Sequence, residues 1–291
     1  MSRRREILHY RRSLQEIGEI MKAMKNMALV EVRKLAKFAG VQRDLIRALE
    51  EMARVFFRSH PELRPPDRPG ERPIYLILGS ERGFCADFNS SLCRFWLERV
   101  EAVAAKGSYE LILVGGRLEG RATGFPKISR SLPGPSVWEE VVDFLPRLMA
   151  AIRELVEVGA TGLTVLFHEP DQQSIEERRL LPLAIAAEEA PRGGPEGPPL
   201  LQISPRQFSE DLAETYLLAG LHEALYSSLA AENRKRMEHM QTALDRLDKR
   251  VGELARAANR LRQEEITEEI EVILLSAEAL KRRKTGAARG T

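Results

Sequence analysis

Apolar residues recur at alternating intervals of three and four near both ends of the 291-residue chain, and this pattern constrains the fold more than any other feature. Near the C-terminus they are Met237, Met240, Leu244, Leu247, Val251, Leu254, Ala258 and Leu261. Near the N-terminus they are Ile7, Tyr10, Leu14, Ile17, Met21, Met24 and Ala28. A stripe of only two positions in seven needs a narrow partner, so the terminal helices are predicted to pair as a long antiparallel coiled coil.

Prolines set the limits of these helices. No proline follows Pro205, so a helix of about 75 residues could extend on the order of 110 Å. The N-terminal pattern stops before Pro61, because proline removes a backbone donor and clashes with the preceding turn. The prediction is an N-terminal coiled-coil helix (residues 1–58), a proline-rich linker (59–73), an α/β domain (74–206), a C-terminal coiled-coil helix (207–284) and a flexible tail (285–291).

The middle of the chain has a different periodicity. Continuous apolar runs at residues 74–78, 111–114 and 163–167 are typical of strands that are buried on both faces. Helical patterns at residues 90–105 and 138–158 separate them, and residues 181–186 and 200–204 are predicted as further edge strands. Alternating strands and helices favour a mostly parallel sheet. The predicted fold class is therefore α/β, with a Rossmann-like domain inserted between the two coiled-coil helices.

Composition excludes several classes of protein. The chain has 45 basic and 43 acidic residues, and this near balance argues against a protein that coats nucleic acid. No apolar run approaches the roughly 20 residues that span a bilayer, so direct membrane insertion is not expected. The two cysteines are too few for a disulfide scaffold and fit no metal-site spacing, which favours reduced thiols facing the cytosol.

The predicted domain offers few candidates for catalysis. The turn at residues 79–85 lacks the G-x-G-x-x-G spacing, and residues 115–120 lack the lysine and hydroxyl of a phosphate loop. Cys85 could be a nucleophile or a small buried thiol, and His168 with its neighbours through Asp171 could supply a base or a metal ligand. No partner group can be nominated for either residue, so we expect no cofactor, no metal and no active site.

Three separated motifs resemble one known family. The sequence R-R-S-L-Q-E-I at residues 11–17, followed by M-K-A-M-K-N-M-A at residues 21–28, resembles the N-terminal helix of the gamma subunit of F-type ATP synthases. Ser80, Arg82, Gly83, Cys85 and Asn89 are similar to that family's S-D-R-G-L-C-G-G-L-N turn. Residues 232–240 and 259–269 resemble its E-N-x-x-R-M-x-x-M and N-x-x-R-Q-x-x-I-T-x-E stretches. The resemblance covers nearly the whole chain.

The chain departs from the family pattern at several positions. Ala86 and Asp87 stand where the family usually has glycines, and Glu81, Phe84 and Phe88 replace its commoner residues. Leu244, Arg246 and Leu247 occupy positions where the family tends to have Thr, Asn and Ala. The larger apolar groups would strengthen the heptad. These departures are compatible with a divergent paralogue from a second ATPase operon, and they leave the coupling ion open.

The resemblance implies a rotor. Its coiled coil would stand inside a ring of alternating alpha and beta subunits, while the rest of the chain would bind the epsilon subunit and the membrane c-ring. Catalysis would belong to the beta subunits, and the chain would couple ion transport to ATP synthesis, or ATP hydrolysis to ion pumping. The complex would lie on the cytoplasmic face of the inner or plasma membrane.

The resemblance also implies contact residues. Arg262 and Gln263 align with the pair that binds a loop of a beta subunit, and Thr267 and Glu269 follow one to two turns later. Met24 and Lys25 lie where the N-terminal helix would pass a beta subunit, although they could simply be a seam residue and a solvated residue. No c-ring contact can be carried over, because the loop at residues 201–205 is too different.

Two alternatives remain at the level of sequence. A structural coiled-coil tether or scaffold would explain the heptads but not the ordered motifs, and it predicts a stable homodimer. A Rossmann-type enzyme would explain the middle of the chain but not the long helices, and it predicts specific binding of a nucleotide.

Overall fold

The computed structural model describes residues 3–66, 71–105, 107–170, 174–183 and 200–287, with side chains described as far as residue 277. The chain divides into two compact units. The helix-pair unit comprises residues 1–25 and 240–291, and the sheet unit comprises residues 26–239. Both units contain parts of the two terminal helices.

The element order is helical at both ends and mixed in the middle. The elements are α1 (Arg3–Ser59), a 3₁₀ turn (Pro61–Leu63), β1 (Ile74–Leu78), α2 (Phe88–Ala104), β2 (Glu110–Val114), α3 (Gly116–Glu119), β3 (Arg130–Leu132), α4 (Glu140–Glu157), β4 (Leu163–His168), β5 (Ile175–Leu181) and α5 (Pro205–Ala287).

The two terminal helices are 57 and 83 residues long. Helix α1 ends just before Pro61, and α5 begins with Pro205, which is tolerated there because the first helical N–H has no partner within the helix. Helix α5 continues three residues beyond its predicted end, so residues 285–287 of the predicted flexible tail are helical. The rest of that tail lies outside the described residues.

The sheet unit contains a five-stranded sheet in the order β3-β2-β1-β4-β5. Strands β1 to β4 are parallel, and β5 runs antiparallel to β4. Strands β1, β2 and β4 are the three predicted apolar runs, and they occupy the centre of the sheet, where both faces are covered. This arrangement confirms the predicted α/β class with a Rossmann-like sheet.

Successive side chains of the central strands enter two separate apolar clusters. Ile74, Leu76 and Leu78 belong to a cluster that also contains buried residues of α1, α4 and α5. Ile77 belongs to a second cluster, which is built with α2 and α3. The alternation follows from the two-residue period of a strand. Within this unit, α1 and α5 are therefore core helices.

The predicted edge strand at residues 200–204 was wrong, whereas the one at residues 181–186 lies only partly within the described residues. Residues 200–204 form no strand, and Leu200 is fully exposed. Residue 181 closes β5, whereas residues 184–186 lie outside the described residues. Strands β3 and β5 were not predicted from the sequence. Strand β5 carries four consecutive charged residues, Glu176 to Arg179, because an edge strand has fewer neighbours to bury it.

The helix-pair unit is an antiparallel coiled coil, as predicted. Three contacts show the direction: Arg4 pairs with Glu265 at 3.2 Å, Gly18 lies against Leu247, and Lys25 donates to Gln241 at 2.9 Å. As the residue number rises in α1, it falls in α5. Among the described residues, no helix combines the length and hydropathy that a bilayer-spanning helix needs.

Candidate functional site

The seam of the helix pair follows a different row of α1 from the predicted one. Residues at every seventh position, such as Ile7, Leu14 and Met21, are half-buried as expected. The second row consists of Arg4, Arg11, Gly18 and Lys25, all of which are buried or half-buried. The predicted row contained Tyr10 and Ile17, which are 51% and 47% exposed. The assignment of Ile17 to the seam is therefore corrected.

Gly18 explains part of this change of row. A Cβ atom at position 18 would lie 3.3 Å from Leu247 Cδ2, so the missing side chain leaves room for the large leucine of the opposite helix. On α5 the stripe lies where the sequence places it. Leu244 and Leu254 are buried, and Leu247 and Val251 are half-buried. A knob on α5 thus meets a hole on α1.

The residues that the resemblance marks as beta-subunit contacts lie in different surroundings. Arg262, Gln263, Thr267 and Glu269 are all exposed on α5. The Thr267 hydroxyl donates to the backbone carbonyl of Gln263 at 2.9 Å. Met24 is half-buried beside the seam. Lys25, also half-buried, lies in the seam row and is held by Gln241.

Helix α5 carries an exposed apolar surface beyond its contacts with α1. Glu265, paired with Arg4, lies opposite the beginning of the described part of α1. The large apolar residues that follow are 45–66% exposed: Ile266, Ile270, Val272, Ile273, Leu274 and Leu275. Ile266, Ile270, Ile273 and Leu274 follow helical steps of three and four, whereas Val272 and Leu275 lie off that stripe. A cluster of large exposed apolar residues of this kind is typical of an interaction site.

The turn between β1 and α2 in the sheet unit is held from several sides. Ser80 N–H donates to Asn89 Oδ1 at 2.9 Å, and the Asn89 amide donates back to Ser80 Oγ at 2.7 Å. The Glu81 carboxylate accepts the backbone N–H groups of Gly116 and Gly134 at 2.8 and 2.9 Å. Since the turn is tied to the ends of β2 and β3, its shape is fixed by the sheet.

Helix α5 supports the same turn through buried charges. Arg236 donates to the Gly83 carbonyl at 3.3 Å and forms a short ion pair with Glu232. Burial raises the pKa of Glu232 to about 7, although the Arg236 guanidinium opposes this shift. Two residues of the turn, Phe84 and Ala86, adopt positive φ angles of 65° and 52°. This is the conformation that the family's glycines would adopt without strain at position 86.

The candidate catalytic residues are structural in this geometry. Cys85 is buried, its Sγ lies 3.3 Å from Ser80 Oγ, and burial raises the pKa of its thiol, which disfavours the reactive thiolate. The His168 ring packs on Phe88 and its Nε2 lies 3.0 Å from the Phe88 carbonyl, while burial lowers its pKa. Glu169 pairs with Arg43, and Asp171 lies outside the described residues.

Gly79 and Gly115, which follow β1 and β2, lie very close to neighbouring atoms. A Cβ atom at Gly79 would lie 2.4 Å from Leu118 Cβ, and one at Gly115 would lie 2.7 Å from the Ser80 carbonyl. Gly115 also has a φ of 107°, which side chains rarely adopt. Both positions therefore require glycine for the fold itself. Among the described residues, no group of three or more His, Cys, Asp or Glu side chains could hold a metal ion.

Comparison with known proteins identifies the family of the chain. The family model described as ATP synthase matches residues 4–280. The ATP synthase gamma chain of Frankia casuarinae is 27% identical over an alignment that covers 94% of this chain and 98% of that one.

Two solved structures share the fold. A chain in the Euglena gracilis mitochondrial ATP synthase, in a structure of OSCP, F1 and c-ring, is similar with a TM-score of 0.62 and 15% identity, covering 97% of this chain and 95% of that one. A chain in the central stalk and c-ring of the Tetrahymena thermophila enzyme has a TM-score of 0.53 and 18% identity, covering 77% and 99%. With the family match over residues 4–280, the chain belongs to the gamma-subunit family of ATP synthases and is a non-catalytic subunit of the rotary stalk.

Proposed function

We propose that the helix-pair unit turns inside a ring of alternating alpha and beta subunits, and that the sheet unit binds the epsilon subunit and the c-ring. The chain would couple ion flow through the c-ring to the conformational cycle of the catalytic beta subunits, on the cytoplasmic face of the inner or plasma membrane. The observation that carries this proposal is the exposed apolar surface of α5 from Ile266 to Leu275.

That surface requires a partner for a physical reason. Each Å² of apolar surface that is buried in a complex contributes about 25 cal/mol of stabilising free energy. Six neighbouring large apolar side chains left in water would instead favour aggregation. The described part of α1 does not reach them, because its first residues already lie opposite Glu265. A collar of other subunits around a single helix would cover side chains that point in several directions.

Arg262 and Gln263 give the collar a polar recognition element. The guanidinium offers several planar donors, and the amide offers both a donor and an acceptor, so together they suit a loop with carboxylates and backbone groups. Both residues are exposed and sit just before the apolar surface. Thr267 and Glu269 extend the polar contact, and Met24 and Lys25 would provide a second one on α1.

An asymmetric contact is what a rotor needs. A stalk that touched three beta subunits identically would shift no population among their conformations. The polar pair lies on one side of α5 and would meet one beta subunit at a given angle. The differential contact energy would then favour one conformation of that subunit over the others.

Affinity purification of the tagged chain from its own cells tests the proposal. We expect alpha and beta ATPase subunits to be recovered with it, as identified by mass spectrometry. The double variant Ile270→Asp with Leu274→Asp should lose them, because charges would replace the apolar contact. Val142→Asp is a matched control, since Val142 is a similarly exposed apolar residue of the sheet unit.

Two results would contradict the proposal. Recovery of a stable homodimer without alpha and beta subunits would favour a coiled-coil tether. Retention of both subunits by the double variant at the wild-type level would show that the apolar surface of α5 is not the contact.

A further inference from the structure

Four glycines of α1 and α5 whose surroundings are described divide into two kinds. At Gly18 and Gly220 a Cβ atom would crowd a leucine: it would lie 3.3 Å from Leu247 Cδ2 at the first and 2.5 Å from Leu180 Cδ2 at the second. Gly40 and Gly252 have no heavy atom within 4 Å of such a Cβ. Alanine would therefore fit at positions 40 and 252 without any rearrangement.

Glycine in the interior of a helix has a cost, because it loses more backbone freedom on folding than alanine and contributes no side-chain contact. Neither Gly40 nor Gly252 has a positive φ that would exclude alanine. Packing and backbone geometry thus leave both glycines unexplained. A remaining physical consequence of glycine is that the helix opens and bends more easily there.

Whether the helix can bend at Gly40 or Gly252 depends on the packing around each glycine. Gly40 follows Ala39, which is buried in the main core, and Phe38 stacks on Trp138 at a centroid distance of 4.8 Å. Core packing therefore fixes the helix at Gly40. Gly252 lies in the helix-pair unit, between half-buried Val251 and exposed Glu253, where α5 packs against a single helix.

We propose that Gly252 is a built-in flexing point of α5. This inference rests on the proposed function for its purpose, since Gly252 lies about 15 Å along the helix from Arg262. The part of a load from that contact that α5 carries would pass through Gly252, and the paired α1 would carry the rest. A local flexing point would let the contact region follow a beta subunit while the rest of the chain keeps its position.

Hydrogen exchange of the full-length chain tests the flexing point without any partner. Amides just after Gly252 should exchange through local opening in the wild type, and Gly252→Ala should slow them about fivefold, as expected from the helix propensities of the two residues. Gly40→Ala is the matched control: because only larger unfolding exposes that region, any slowing should be shared by amides throughout the sheet unit, whereas the slowing in Gly252→Ala should be confined to amides near position 252. Wild-type exchange as slow after Gly252 as after Gly40 would overturn the proposal.

A measurement in the assembled complex tests whether Gly252 lets the stalk flex under load. Angular fluctuations of a bead attached to the stalk of a stalled complex should become narrower in Gly252→Ala and stay unchanged in Gly40→Ala. Equal fluctuations in the wild type and Gly252→Ala would contradict a role in flexing under load. Failure of the chain to assemble with alpha and beta subunits would instead reject the proposed function and leave the exchange result valid.

Discussion

In the sheet unit, α1 and α5 bury whole faces against a sheet, whereas in the helix-pair unit the same two helices bury only a narrow stripe against each other. The sheet unit also buries charges, such as Glu223 with Arg178 and Glu232 with Arg236. The helix-pair unit leaves large apolar residues such as Tyr10, Ile17 and Leu274 exposed. The first unit is therefore stabilised by its own core, whereas the second leaves large apolar side chains in contact with solvent.

The largest expected difference between the two units concerns leucines of α5. Leu221 is fully buried in the sheet unit, so Leu221→Ala should lower the free energy of unfolding by about 2–5 kcal/mol. Leu274 is 60% exposed, so Leu274→Ala should change the same quantity by less than about 0.5 kcal/mol. Denaturant unfolding of the isolated chain measures both. Similar losses for the two variants would contradict the assignment of Leu221 to a core and of Leu274 to an exposed surface.

Ion pairs provide the next test. Glu110 in the sheet unit is buried and accepts from Arg72 at 2.8 Å, from Lys127 at 2.9 Å and from Ser129. Burial alone would raise its pKa, but the hydrogen bonds from these three partners outweigh burial and hold the pKa at about 2. Since the pKa is lower in the folded state, Glu110 should stabilise the fold above its unfolded pKa and lose this effect as pH falls toward 2.

The corresponding variants separate a buried carboxylate from an exposed one. Glu110→Gln should lower the free energy of unfolding at pH 7 by about 1–3 kcal/mol and weaken its decrease below pH 5. Glu265→Gln removes the partly exposed pair with Arg4 and should cost no more than about 1 kcal/mol. Unfolding titrations at pH 7 and pH 4 provide the measurement. An equal pH dependence in Glu110→Gln and the wild type would contradict the assignment.

The third prediction tests the polar contact of the helix-pair unit. The double variant Arg262→Ala with Gln263→Leu should remain helical and assembled, because both replacements are good helix formers. It should lower ATP turnover at least fivefold or uncouple it from ion pumping, since each lost bond is worth about 1–3 kcal/mol when desolvated. ATPase rate and ion pumping in vesicles are the measurements.

Arg256→Ala is the control for this double variant, because Arg256 is an exposed arginine of the same stretch of α5. It should retain turnover and pumping. Wild-type values in the assembled double variant would show that these two residues do not transmit torque, even though the family assignment would stand.

The smallest expected effect is a gain in stability. Ala86 adopts a φ of 52°, which favours glycine, so Ala86→Gly should raise the free energy of unfolding by up to about 1 kcal/mol. In the helix-pair unit the same change at helical Ala255 should lower stability by about 1 kcal/mol. Thermal unfolding of both variants checks the opposite signs. A loss of stability in Ala86→Gly would mean that the alanine methyl makes an important contact.

The sequence predicted the elements whose pattern is dictated by burial on all sides. The runs that became β1, β2 and β4 are continuous and apolar because both faces of each strand are covered. Strand β5 was not predicted, because its charged residues give no apolar pattern and its pairing with β4 depends on tertiary contacts. The short β3 gave no pattern at all.

The phase of the α1 stripe could not be obtained from apolar spacing alone. Rows that contain Ile17 or Gly18 both alternate steps of three and four with Leu14 and Met21. The large Leu247 on the opposite helix favours the row with Gly18, and this is a contact between distant residues. The exposure of Arg262 and Gln263 likewise could be seen only in the structure. Their identity as candidate contacts came from the sequence motif.

Rotation of the chain within an assembled complex tests its central role most directly. A bead can be attached through Val158→Cys, which is exposed, because the native Cys85 and Cys93 are buried and should not compete for the label. With alpha and beta subunits fixed to a surface, addition of ATP should drive stepwise rotation of the bead in one direction. A complex that assembles and hydrolyses ATP while the bead shows no directed rotation would contradict the account.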